Sequence, residues 1–231
     1  MTGKFRHLLG VLAIGGLAAC GNAPEQSPMR IALDAGLSGL TGESRPSPAQ
    51  VPESGFLAVA PTLIATAQSE PAVGLYMQER NTQALLSLSG ATATHVTWLT
   101  GDRISVTLSG GTMLARTSGL GHDLNNADFS QTLMLMAQGA AGQAERTHTY
   151  LTADFQQDRE RFTCDVRPLG QAQVQLGRAS RQTLAYEEAC TGDMGDFTNR
   201  YWLDTGSGQI VQAVQWVHPQ VGKAHLQLLN Q

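Results

Sequence analysis

From Ala72 onward the chain is a succession of short segments in which apolar and polar residues alternate, each closed by turn residues. A period of two is the mark of a half-buried strand, and strands spaced this closely with no helical periods between them specify an all-β, antiparallel architecture. Ala72 to Glu79, Gln83 to Ser89 and Ala93 to Leu99 are the first strand candidates. Ile104, Val106 and Leu108 then alternate with Ser105 and Thr107, and Gly110-Gly111 supplies a two-residue turn into Thr112 to Thr117. A further turn at Thr100-Gly101-Asp102 lies just upstream, so these strands are antiparallel neighbours; parallel strands need a crossover of roughly a dozen residues.

The pattern breaks at Gly119 to Asp128, where the polar text GLGHDLNNAD interrupts the strands, and at Ser130 to Ala140, which suits a helix ending near Gly139 and fits a strand almost as well. It resumes with Thr149, Leu151, Ala153 and Phe155 on one face, followed by strands over Arg161 to Val166, Gln173 to Leu176 and Gln182 to Tyr186. Phe197 to Leu203 turns at Asp204 to Gly208 into Ile210 to Val217, and Ala224, Leu226 and Leu228 mark a final alternating strand. The expected fold is a barrel-like or sandwich domain over residues 56–231 with one or two short helices. Phe56 to Thr66 is ambiguous, because Pro61 demotes it to an edge strand or a broken segment.

The N-terminus places the domain in a compartment. Lys4, Arg6 and His7 precede an apolar run from Leu8 to Leu17 without an acidic residue, which is a signal peptide over residues 1–19. The run is about half of the roughly 20 residues a membrane helix needs. It ends in Leu17-Ala18-Ala19-Cys20, the pattern of a bacterial lipoprotein cleavage site, so Cys20 is the expected lipidated first residue of the mature protein. Several acyl chains, each buried methylene contributing roughly 0.8 kcal/mol, give stable tethering. Residues 20–55 read as a tether, a short helix through Met29, Leu33, Leu37 and Leu40, and an arm over Thr41 to Gly55 carrying Pro46, Pro48 and Pro52.

Removal of Lys4 and Arg6 leaves 15 − 2 = 13 basic against 19 acidic residues, so no basic footprint for nucleic acid survives. With Cys20 lipidated, Cys164 and Cys190 remain. Each shares the parity of apolar neighbours, Phe162 and Val166 for the first, Leu184 and Tyr186 for the second, so a disulfide between neighbouring strands is expected. Closing that loop contributes roughly 3 to 4 kcal/mol in the chain-entropy model. No CxxC or His-x3-His spacing accompanies the pair, and neither a metal nor a cofactor is indicated.

No Gly-x-Ser-x-Gly elbow and no His-Glu-x-x-His helix is present. Asp123 and Asp128 flank Asn125 and Asn126 without the spacing or the closing glutamate of a calcium loop. His122 beside Asp123 has the make-up of an oriented general base, though both residues also suit a turn. Trp98, Tyr201, Trp202 and Trp216 are the rings available to stack on sugars, and Asp102, Arg116, His122 and Asp123 are the polar candidates for glycan or partner contact.

Two stretches carry a family resemblance: TWLTGDRISVTLSGGTMLARTSGLGHDLNNA from Thr97 to Ala127, and the run from Cys190 through FTNRYWLDTGSGQIVQAVQW to Trp216. With the lipoprotein site and Cys164, they resemble the YjbF/GfcB lipoproteins of exopolysaccharide and group 4 capsule operons. The resemblance implies a barrel-like domain at the outer membrane, working without catalytic residues as an accessory in polysaccharide secretion. It also implies a porin-like outer-membrane partner and a second periplasmic protein. In enteric bacteria an aspartate after the lipidated cysteine favours inner-membrane retention; Gly21 stands there, so the periplasmic face of the outer membrane is expected. The competing readings are a periplasmic glycan-modifying enzyme and a carrier with a hollow apolar interior.

Overall fold

The computed structural model describes residues 58–67, 70–151 and 156–230. The signal peptide, Cys20, the short helix and the proline-rich arm lie outside these residues, as do Ala153 and Phe155. Twelve strands and two helices follow in the order α1 (Pro61–Thr66), β1 (Ala72–Met77), β2 (Thr82–Ala91), β3 (Val96–Leu99), β4 (Ser105–Ser109), β5 (Met113–Ser118), β6 (Leu124–Asp128), α2 (Ser130–Ala137), β7 (Gly142–Leu151), β8 (Gln157–Leu176), β9 (Ala179–Gly192), β10 (Phe197–Asp204), β11 (Ile210–His218) and β12 (Gly222–Leu229). Hydrogen bonding runs β5-β4-β3-β2-β1-β12-β11-β10-β9-β8-β7-β6, every pair antiparallel. The two ends of this order, β5 and β6, are consecutive in sequence and approach one another without a ladder. The sheet is therefore an up-and-down barrel, closed between β1 and β12 and left with one seam between β5 and β6.

The seam is not a bare edge. Across the lumen, Gln215 of β11 accepts from the Leu114 amide at 3.0 Å and donates to the Thr112 carbonyl at 2.7 Å. The β4–β5 turn reaches the same strand: Ile210 donates to Gly110 and accepts from the Thr112 amide. Gly111 explains the closeness of the approach, since it sits at φ 105° and a Cβ there would lie 2.2 Å from the Ile210 carbonyl oxygen. At the other end of the seam, Asp123 accepts from Thr117 Oγ1 and the Gly119 and Leu120 amides at 2.9–3.1 Å, and Leu124 donates to Thr117 Oγ1 at 2.9 Å. The GLGHDLNNAD text, expected as an interruption, is thus a stapled turn followed by strand β6.

The core fills the barrel, with Leu86, Leu108, Met113, Leu124, Tyr186, Tyr201 and Leu226 all at or below 1% exposure. Helix α2 packs on β7 and sends Thr132 and Met136 inward. Outside the barrel, Val59, Leu63, Ile64 and Ala67 of the α1 region pack with Ala72, Leu85 and Leu229, so β1 and β12 are buried on both faces. Of the ambiguous Phe56 to Thr66 segment, Pro61–Thr66 forms this helix, with Pro61 in the first turn, where its missing N–H is not needed. The strict alternation expected of the last strand fails, since His225, Gln227 and Leu229 are buried as fully as their apolar neighbours: Leu229 packs with the α1 region, His225 bonds Gln78, and Gln227 bonds Gln212 and the Gln175 carbonyl.

Two other expectations are corrected. β7 begins at Gly142 and buries Ala144, Arg146, His148 and Tyr150, so the face carrying Thr149 and Leu151 points outward. The separate strands at Arg161 to Val166 and Gln173 to Leu176 are one 20-residue strand with a bulge between Pro168 and Gly170. Past that bulge β8 keeps its even residues buried while its partner switches, from Tyr186, Glu188 and Cys190 to Thr183 and Ala185. One extra residue thus lets the hairpin bury opposite faces in its two halves.

Candidate functional site

Two polar constellations stand out, one sealed inside the barrel and one open on its outer face. The inner one is built by β7, β9, β10 and α2. Arg146 and Glu188, 1% and 0% exposed, form a buried ion pair at 3.0 Å. The Glu188 carboxylate also accepts from Thr132 Oγ1 at 2.6 Å, Asn199 Nδ2 at 2.7 Å and Tyr201 Oη at 2.6 Å. Burial pushes the Glu188 carboxyl up, but Arg146 and these donors outweigh it and hold the group below its ordinary value. Burial likewise opposes the charge on Arg146, and Glu188 and Tyr201 more than restore it.

His148 extends the network. The Arg146 Nε–H donates to His148 Nε2 at 2.8 Å, so the imidazole proton sits on Nδ1 and goes to Tyr150 Oη at 2.9 Å; Tyr150 in turn donates to the Val217 carbonyl at 2.5 Å. Burial, reinforced by Arg146, keeps His148 neutral, well below its usual range. Tyr201 is held well above its ordinary value, chiefly by burial. Below this cluster Cys164 and Cys190, directly opposite on β8 and β9, form the expected disulfide and pack with Phe162 and Phe197. Among the described residues, the one grouping with metal-ligand reach is Cys164, Glu188 and Cys190; its sulfurs are bonded to each other and its carboxylate is saturated. The constellation fixes helix α2 to the barrel wall, and its members are at most 5% exposed.

The outer constellation lies in a groove of about 530 Å³ over β2 to β6, lined by Thr92, His95, Thr97, Thr107, Arg116 and Asn126 with Gly90 and Ala91 as floor. Gly90, Thr97, Thr107 and Arg116 are successive cross-strand partners, so one residue from each of four strands forms a single row across the sheet. Thr97 and Thr107 share a hydroxyl bond at 3.0 Å. His95 Nδ1 bonds Thr94 Oγ1 at 2.8 Å.

The sites expected from sequence are scattered by the fold. Trp98, Tyr201 and Trp202 are 4%, 0% and 2% exposed, so they offer no face to a sugar and are core residues. Trp216 is half-buried, stacked on Phe197 at 4.5 Å. Asp102 accepts from Thr100 Oγ1 within its turn. Asp123 is occupied by the three donors of the seam staple, and His122 stacks on His218 at 4.4 Å rather than on Asp123. Asp128 accepts from the Ser130 amide at the start of α2 at 3.0 Å. Arg116 alone of that set lines the groove. Sequence reasoning missed Arg146, His148, Glu188 and Asn199; the available signal was the alternation of Arg146, His148 and Tyr150 along β7.

The chain matches the YjbF family model, described as group 4 capsule polysaccharide lipoprotein gfcB, YjbF, over residues 61–229. The barrel resembles the crystal structure of the hypothetical lipoprotein YmcC from Escherichia coli (K12), with a TM-score of 0.62 at 16% identity, covering 90% of this chain and 97% of that one. No curated protein matches the chain.

Proposed function

Since the chain belongs to the YjbF family of group 4 capsule polysaccharide lipoproteins, we propose that it is a non-enzymatic accessory in the secretion of a capsular or exopolysaccharide. It is held by lipidated Cys20 on the periplasmic face of the outer membrane. In that reading it works beside a porin-like outer-membrane protein and a second periplasmic protein of the same export route. The family match across nearly the whole barrel carries the proposal. The inner site supports its non-enzymatic part, because the groups with displaced ionisation are enclosed and spend their hydrogen bonds on one another. A catalytic pair at His122 and Asp123 finds no support in the geometry, and the packed lumen gives none to an apolar carrier.

Deletion of the gene in its host, with surface and secreted polysaccharide measured against total intracellular polymer, tests the reading. Export is expected to fall while synthesis continues, and a Cys20→Ala chain is expected not to restore it. Unchanged surface and secreted polymer in the deletion strain would refute the role.

A further inference from the structure

The outer groove is assembled by breaking the strand pattern three times. β2 carries an extra residue, Ser89, between Leu88 and Gly90; β5 carries Ala115 between Leu114 and Arg116; β6 carries Asn125 between Leu124 and Asn126. In a regular strand, residues two apart point to the same face. Here Leu114 and Leu124 are buried in the lumen while Arg116 and Asn126 are exposed outside. All three bulges end immediately before a groove residue, and those in β5 and β6 turn Arg116 and Asn126 outward; bulges are a recurrent means of re-aiming side chains at binding sites.

What they present is chemically selective. Arg116, like several other arginines among the described residues, has no ion pair and no hydrogen bond, and it is the one arginine or lysine lining the groove. Asn126 likewise keeps both ends of its amide free, and the Nε2 of His95 faces no internal partner. Thr97 and Thr107 add hydroxyls between them. No carboxylate lines the groove, although the chain as a whole carries a net charge of −4. A Cβ at Gly90 would meet nothing within 4 Å, so the floor is open there. The row from Gly90 to Arg116 crosses three inter-strand steps, about 14 Å, longer than a single sugar ring. The groove volume falls in the range of small-ligand sites.

We propose that this groove binds a segment of acidic saccharide, a uronate carboxylate seated on Arg116 and ring hydroxyls on Thr97, Thr107 and Asn126. A guanidinium is the side chain best shaped to hold a carboxylate in two parallel bonds, while hydroxyls and an amide donate and accept as sugars require. A protein strand is a poorer occupant of this face. The neighbouring edges are short and bulged, and the Leu114 amide and Thr112 carbonyl are already held by Gln215.

The assignment rests on the polysaccharide role proposed above and names the substrate class. Binding of trigalacturonate to the full-length lipoprotein in detergent, compared with its neutral methyl ester by calorimetry, tests it. The acid is expected to bind about tenfold more tightly than the ester, the difference made by one charge-assisted contact. Arg116→Gln is expected to abolish that preference and leave ester binding unchanged. Asn126→Ala is expected to weaken both. Arg178→Gln, at an exposed arginine in the β8–β9 turn, is expected to change neither.

Equal binding of acid and ester, no binding of either, or the same loss in the Arg178 and Arg116 variants would overturn the proposal. So would displacement of the acid by equimolar inorganic phosphate, which would mark a bare anion site. The two readings fail separately: an export defect on deletion with no binding in the groove removes only the groove, whereas intact export on deletion removes the accessory role.

Discussion

Substituting Glu188 by glutamine changes one atom and strands several others. The carboxylate accepts five bonds: Thr132 and Arg146 on Oε1, and Arg146, Asn199 and Tyr201 on Oε2, at 2.6 to 3.3 Å. Whichever oxygen becomes an amide NH2 then faces at least two donors, so no rotamer of the introduced amide satisfies the site. The ion pair is lost as well. Two unit charges about 4 Å apart attract by about 4 kcal/mol at an effective dielectric of about 20, and removing one partner of a buried pair costs about 3 to 5 kcal/mol. That is a large share of the roughly 5 to 15 kcal/mol that holds a domain folded.

Urea unfolding at pH 7, followed by the fluorescence of buried Trp98 and Trp202, reads the loss as a lower midpoint at unchanged slope. A cycle with Arg146→Met separates the pair from its surroundings. The double variant is expected to lose at least about 2 kcal/mol less than the sum of the two single losses, because it no longer buries a lone charge. Because Glu188 titrates below its ordinary value of 4.5, the wild-type chain keeps this contribution above that pH and loses it as pH falls further; the glutamine variant lacks that limb. A loss under about 1 kcal/mol, or additive single effects, would refute the account of the network as the bolt holding α2.

Other outcomes follow from the same structure. His225, 1% exposed and bonded to Gln78, is pushed down to about 4, so the unfolded chain takes up its proton first as pH drops below 6.5. Stability is expected to fall by about 2 kcal/mol from pH 7 to pH 5 at this group alone, and a His225→Gln chain to show a correspondingly flatter profile; identical profiles would contradict it. Asp123→Ala removes three bonds from the turn joining β5 to β6. It is expected to cost about 1 to 2 kcal/mol and to speed amide exchange at Leu120 and Leu124; unaltered exchange there would show that the staple does not hold the turn.

Strands whose residues alternate or run apolar between clear turn residues are legible in the sequence itself. β1 to β5 and β10 to β12 fall close to where alternation and turn residues put them, and the cysteine parity correctly paired Cys164 with Cys190. What escaped has a physical cause in each case. β7 reads GQAERTHTYL, polar at both parities, because its buried face is satisfied by a glutamate and a tyrosine more than 40 residues away rather than by apolar packing. β6 carries only Leu124 and Ala127 as buried apolar residues, and its bulge displaces the period between them. The groove was hidden for a related reason: an inserted residue shifts every later position to the other face, and no local signal marks Ser89, Ala115 or Asn125 as insertions. Arg116 is a candidate in the sequence from its place near the hairpin and the GLGHDL loop, but the row it completes depends on register, which only the folded sheet reveals.

The ladder that joins β1 to β12 sets a timetable for making this protein. A chain emerging amino end first exposes Ala72 to Met77 early, yet their permanent neighbours are Ala224 to Leu229, which arrive last. Until then the outer half-partner of β1 is missing, and closing so long a loop carries its entropic cost in a single late step. Loss of even the final strand, Gly222–Leu229, would therefore not trim the molecule but leave the first strand unzipped, and with it the surface on which α1 rests.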